Sequence, residues 1–211
     1  MKRLFLFITI LALSFNFAIA QKNVEWTDAQ KLNHIGKMCN TTNPYHRVEV
    51  DKYPELIKKE ADLLKMTSGQ AILFETDAKE IWIQAEYGRI AFSRAMPETA
   101  GAGFNLYIEH NGEFVWAASK ANKGGHDKEG NYNRSKPLCL LANMDGSMHK
   151  CILYLPLFSE LTELNIGVPE GAKIKPMKNP FRHNIAIFGS SFTHGSCATC
   201  AGQTYPAFLS R

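Results

Sequence analysis

The residues of this sequence best suited to covalent chemistry are two adjacent serines near its carboxyl end, in the stretch Asn184-Ile-Ala-Ile-Phe-Gly-Ser-Ser-Phe-Thr-His-Gly195. Ile185, Ala186, Ile187 and Phe188 form a short apolar run stopped by Gly189, the pattern of a strand buried on both faces in a parallel sheet. Gly189 permits a sharp turn, and Ser190 and Ser191 then stand at the carboxyl end of that strand, where open α/β sheets gather their ligands. A strand, a tight turn and an exposed serine are also how several hydrolases present a nucleophile. A serine hydroxyl is a poor nucleophile until a base takes its proton and hydrogen-bond donors receive the oxyanion. His183 precedes the strand, so at ~3.3 Å per residue it sits at the opposite end from Ser191, out of hydrogen-bond reach. His194 is near in sequence but has no neighbouring acid to orient it.

Two other groupings invite chemistry. His126 and Asp127 could be a base and its orienter, but they adjoin within the Gly-rich polar loop 121–136, where such residues are normally solvated. Cys197 and Cys200 form a C-x-x-C with His194 three residues earlier. A redox role requires a thioredoxin-like setting and structural zinc requires four ligands. Neither setting is visible, so no metal and no cofactor is expected.

Gly189-Ser190-Ser191-Phe192-Thr193-x-Gly195 resembles the first block of the SGNH (GDSL-type) hydrolases. The continuation through Cys197-Ala198, Gly202, Tyr205-Pro206-Ala207 and Leu209 resembles a bacterial branch of esterases acting on carbohydrate esters. The resemblance implies that Ser191 is the nucleophile and that its backbone N–H is one oxyanion donor. It places the base in a late Asp-x-x-His block, and a glycine and an asparagine of the oxyanion hole in two middle blocks; the sequence reaches Arg211 before any of them. The expectation is therefore the N-terminal part of a secreted serine esterase, inactive by itself, whose substrate is an acyl (acetyl) ester on carbohydrate. The alternative is a non-enzymatic jelly-roll protein that binds glycan or a protein partner. Trp82, Trp116 and Tyr107 are then candidates to stack on sugar rings, although aromatics alternating in strands also read as core.

The elements that must position Ser191 begin after Met1–Ala20, which reads as a secretory signal peptide. Lys2 and Arg3 precede the apolar run Leu4–Phe17, and Ala18-Ile19-Ala20 is a small-x-small cleavage site. A membrane anchor is the weaker reading of so short a run. The expected product is exported, to periplasm or medium, with no membrane contact after cleavage. The 211 residues hold 24 Lys and Arg, two of them in this leader, against 20 Asp and Glu; with no basic cluster, nucleic acid is not an expected partner.

Residues 21–178 read as an N-terminal β-sandwich and 179–211 as the first strand and helix of an α/β hydrolase domain. Alternation predicts strands over Tyr45–Val50, Gln70–Glu75, Glu80–Tyr87, Phe104–Glu109, Glu113–Ala118, Pro137–Ala142, His149–Leu155, Leu161–Val168 and Ala172–Met177. His110-Asn111-Gly112 joins two of them as a tight hairpin, since Asn-Gly accepts positive φ. Tyr53–Met66 has helical spacing, yet the family pattern places extended structure near Leu63–Met66. Cys139 and Cys151 flank a probable hairpin loop and are candidates to pair; five cysteines leave an odd thiol. Many short strands with turn residues between them indicate an antiparallel, jelly-roll-like sandwich.

Overall fold

A computed structural model describes residues 23–91 and 95–211. The leader Met1–Ala20 lies outside the described residues. The ten strands among them are β1 (Val24–Asp28), β2 (Asn33–Ile35), β3 (Ala71–Thr76), β4 (Ile81–Ile90), β5 (Gly103–His110), β6 (Glu113–Ala121), β7 (Leu138–Leu141), β8 (His149–Tyr154), β9 (Ser159–Pro169) and β10 (Ile174–Pro176). They form two antiparallel sheets. One has the order β1-β9-β4-β7; the other runs β10-β3-β8-β5-β6, with β2 also paired to β3.

Strand β4 shows why the first sheet has one wet face. Ile81, Ile83, Ala85 and Tyr87 are buried in the core, whereas Trp82, Gln84 and Glu86 alternate with them on the half-exposed face, the two-residue period of a sheet covered on one side. The core between the sheets is closed by Ile72 and Phe74 of β3, Phe104 and Leu106 of β5, Leu153 of β8 and Leu164 and Ile166 of β9. The β5–β6 hairpin turns at Asn111 (φ 53°) and Gly112 (φ 86°), the paired positive φ that an Asn-Gly hairpin requires.

The second sheet is different. Leu73 and Ala71 of β3, Tyr107 of β5 and Ile152 and Tyr154 of β8 point away from the sandwich core and are nonetheless buried. They pack with Leu157, Met177, Ala201 and Ala207, so the carboxyl-terminal segment forms a third layer over this face. This explains why β3 reads as the unbroken run Ala-Ile-Leu-Phe: both of its faces are covered.

Four expectations are corrected. Tyr45–Val50 is not a strand: Asn43 Oδ1 accepts from the Tyr45 N–H at 2.9 Å, Gln70 Nε2 donates to the Tyr45 carbonyl at 2.7 Å, and a 3-10 turn follows at Val50–Lys52. Side chains there satisfy backbone groups that a neighbouring strand would otherwise take. The extended reading of Leu63–Met66 also fails. Helix α1 spans Lys58–Leu64, supported by a Lys58–Asp62 pair one turn apart; the helical spacing was the better guide. Cys139 and Cys151 lie in different sheets, paired to Trp82 and Phe74 respectively, and no disulfide joins them. Lastly, no strand forms at Ile185–Phe188, and a short helix, α2 (Glu98–Gly101), precedes β5.

Burial sets the energetic scale. Ile83 is fully buried between the sheets, whereas Trp116 of β6 is 57% exposed. Ile83→Ala is expected to cost about 2–5 kcal/mol and Trp116→Ala within about 0.5 kcal/mol, both read from urea unfolding of the purified chain.

Candidate active site

The backbone from His183 to Gly189 has no regular secondary structure, and among the described residues no strand pairs with it. Ile185, Ile187 and Phe188 are exposed, Phe188 completely. The expected buried strand is therefore not formed here: an apolar run needs neighbouring strands to take its N–H and C=O groups and cover its faces.

The turn itself is well defined. Ser191 opens the one-turn helix α3 (Ser191–His194), in which the Ser190 carbonyl accepts from the N–H groups of Thr193 (3.0 Å) and His194 (3.2 Å). Gly189 allows the chain to double back, because a Cβ there would stand 2.2 Å from Thr193 Oγ1. Gly195 ends the turn at φ 108°, with its N–H on the Ser191 carbonyl at 3.1 Å. Ser191 is exposed at the apex. A sharp extended-to-helix turn with the serine at its first helical position is thus present without the sheet that should precede it.

His194 does not serve Ser191. Its Nε2–H donates to the Leu157 carbonyl at 2.7 Å, its Nδ1 faces Arg47 Nη2 at 3.4 Å, and its ring lies against Phe158 with centroids 4.2 Å apart. Ser68 Oγ donates to its carbonyl at 2.6 Å. Burial first, then the Arg47 guanidinium, lower its pKa from the ordinary 6.5 to about 4, so the ring is neutral with both nitrogens occupied. Arg47 in turn donates to the Leu63 and Met66 carbonyls at 2.5 and 3.1 Å, tying the end of α1 to the serine turn. His183 is exposed in the irregular segment before the turn. The sequence did not single out Arg47, Ser68 or Leu157; an isolated arginine in a loop carries no local signal of a partner 147 residues away.

Beyond the turn, helix α4 (Tyr205–Ser210) and the loop before it rest on the outer face of the second sheet. Cys200 is buried and its thiol donates to Asn105 Oδ1 at 3.3 Å, whereas Cys197 is exposed at φ 65°. The Cys197, Cys200 and His194 side chains have separate tasks, and no group of three or more metal-ligand side chains occurs among the described residues. His126 is exposed, and Asp127 accepts from the N–H groups of Glu129 and Asn131 within its own loop.

A family model for the N-terminus of SGNH-hydrolase-type esterases, labelled GxDLY, matches residues 24–174. The chain belongs to this family. Read as a residue pattern, the label falls on Gly103-Phe104-Asn105-Leu106-Tyr107 of β5, with Asn105 where the label has Asp. Among solved structures, this chain is similar to a Bacteroides ovatus ATCC 8483 protein described as GDSL-like lipase, at 32% identity and a TM-score of 0.81. The match covers 90% of this chain and 53% of that one, so the chain spans about half the length of that relative. A salicylyl-acyltransferase, SsfX3, from a tetracycline biosynthetic pathway also matches, at 15% identity and a TM-score of 0.46, over 75% of this chain and 43% of that one. No curated protein sequence matches this chain.

Two half-buried histidines make the chain's stability acid-sensitive. His34, hydrogen-bonded to Gln70 Oε1 at 2.7 Å, is lowered by burial to about 4, as is His194. Below an ordinary pKa of 6.5 the unfolded chain gains protons that the folded chain refuses until about pH 4. Stability is therefore complete above that upper value and lost as pH falls through the interval. His194→Gln should flatten part of the fall in urea midpoint between pH 7.5 and 4.5. An unaltered slope in His194→Gln would show that the ring titrates freely.

Proposed function

We propose that this module is the N-terminal part of an exported SGNH-type serine esterase that removes acyl groups, acetyl among them, from carbohydrate, with Ser191 as nucleophile and its backbone N–H as one oxyanion donor. The observation that carries this reading is the serine turn: Ser191 stands exposed at its apex while the residues around it are fastened to the sandwich. The base and the other oxyanion donors come from residues beyond those described. His194 is committed to Leu157 and Arg47, and His183 is exposed in the irregular segment before the turn. Removing one oxyanion donor alone costs ~10²–10³ in rate.

The hydrolysis of an activated acetate ester tests this in two arms. The chain ending at Arg211 should match its Ser191→Ala variant at background rate; saturable turnover lost in Ser191→Ala would mean that a base lies within it. In a chain extended by the gene's continuation, Ser191→Ala should abolish turnover and Ser190→Ala should leave a measurable rate.

One observation favours a second reading, a glycan-binding module without catalysis. Trp116 is 57% exposed and borders a hollow of about 460 Å³ that Glu113, Phe114 and Gln203 also line, an aromatic plate beside polar groups of the kind that accepts sugar rings. Of the other two aromatic candidates, Tyr107 is buried and Trp82 is half-buried with its indole N–H on Glu80 at 3.2 Å. Retention of the chain in affinity electrophoresis on acetylated xylan, lost in Trp116→Ala, supports this reading; equal mobility of the two counts against it.

A further inference from the structure

The family pattern on β5 has a physical task in this chain. Gly103 begins the strand where a Cβ would stand 2.2 Å from the Thr99 carbonyl oxygen, so a bare backbone is required against α2. Leu106 points inward and fills the sandwich core. Asn105 and Tyr107 instead meet the residues that follow the serine turn. Asn105 is wholly buried; its Oδ1 accepts from the Gly202 N–H at 2.9 Å and from the Cys200 thiol at 3.3 Å, while its Nδ2 donates to the Ala118 carbonyl at 2.9 Å. Tyr107 Oη donates to the Gly202 carbonyl at 3.1 Å and accepts from Gln203 Nε2 at 2.9 Å. Both backbone polar groups of Gly202 are thus taken by this one strand.

The opposing surface is shaped to match. A Cβ on Gly202 would stand 2.2 Å from Asn105 Oδ1 and 2.4 Å from the Tyr107 ring, so only glycine lets the backbone come this close. Thr99 Oγ1 adds a bond to the Thr199 carbonyl at 2.5 Å. Asn105 and Tyr107 of the strand on one side and a glycine loop on the other form a complementary pair, and the loop lies on the segment that carries Ser191.

We propose that β5 is the anchor of the nucleophile-bearing segment, with Asn105 as the positioning residue at its centre. The word nucleophile rests on the functional reading above; the anchor does not. The acceptor oxygen is the essential atom, because it receives Gly202 and Cys200 together. An Asp, as in the family pattern, keeps that acceptor oxygen and exchanges the Nδ2 donor to the Ala118 carbonyl for a second oxygen. A leucine of similar size keeps the packing and loses the acceptor, leaving the Gly202 N–H buried and unpaired.

Cys200 reports on the anchor without any catalysis. In the reduced native chain, iodoacetamide should label the exposed Cys39 and Cys197 quickly and the buried Cys200 and Cys151 slowly, as read by peptide mass spectrometry. Asn105→Leu and Gly202→Ala should each speed labelling of Cys200 about tenfold or more relative to Cys39, with Cys151 still protected. Asn105→Asp should label Cys200 close to the parent rate. Continued protection of Cys200 in Asn105→Leu and Gly202→Ala would overturn the proposal. So would Asn105→Asp exposing Cys200 as fully as Asn105→Leu, since packing alone would then explain the site. Parallel exposure of Cys151 in every variant would show that the loop belongs to the sandwich core and is not anchored as a separate element. Because the rates do not involve Ser191, failure of the esterase reading leaves this test unaffected.

Discussion

The second sheet has two apolar faces, and most of the molecule follows from the need to cover both. A sandwich covers one face of each sheet, and the outer face of the first sheet meets water with half-exposed Trp82, Gln84 and Glu86. The outer face of the second sheet carries Ala71, Leu73, Ile152 and Tyr154, all buried. At ~25 cal/mol per Å² of apolar surface, leaving such a face wet would cost several kcal/mol. The segment from Met177 to Ala207 removes it from water, so the region that looks like the start of a second domain completes the first.

That covering explains the polar contacts at its edges. A loop laid over a sheet must still satisfy its backbone groups. It does so by close approach at Gly202 and by side chains at His194, where Leu157, Ser68 and Arg47 converge. Gly195 is held to the same standard: a Cβ there would stand 2.7 Å from the Leu157 side chain. The serine turn sits between these two attachments, while the run before it, Ile185 to Phe188, has no such support and is exposed.

Sequence periodicity read the sandwich well and the third layer poorly. Alternation in β4 and the Asn111-Gly112 turn are local signals, and both appear as expected. The unbroken apolar run of β3 was also visible, yet a run alone does not say what covers its second face. The strand expected at Tyr45–Val50 failed because its alternation arises from a turn held by Asn43 and Gln70. At the site, the position of Ser191 on a glycine-stopped turn could be read from spacing. The commitment of His194 could not, since its partners Arg47, Ser68 and Leu157 are remote in sequence and of types that occur everywhere on surfaces.

The order in which these parts leave the ribosome gives the third layer a further meaning. Chains fold from the N-terminus as they are made, and the strands of the sandwich precede the segment that covers them. The face formed by Leu73, Ile152 and Tyr154 is complete before Cys200 and Gly202 emerge, so it acts as a waiting surface on which the serine turn is captured on arrival.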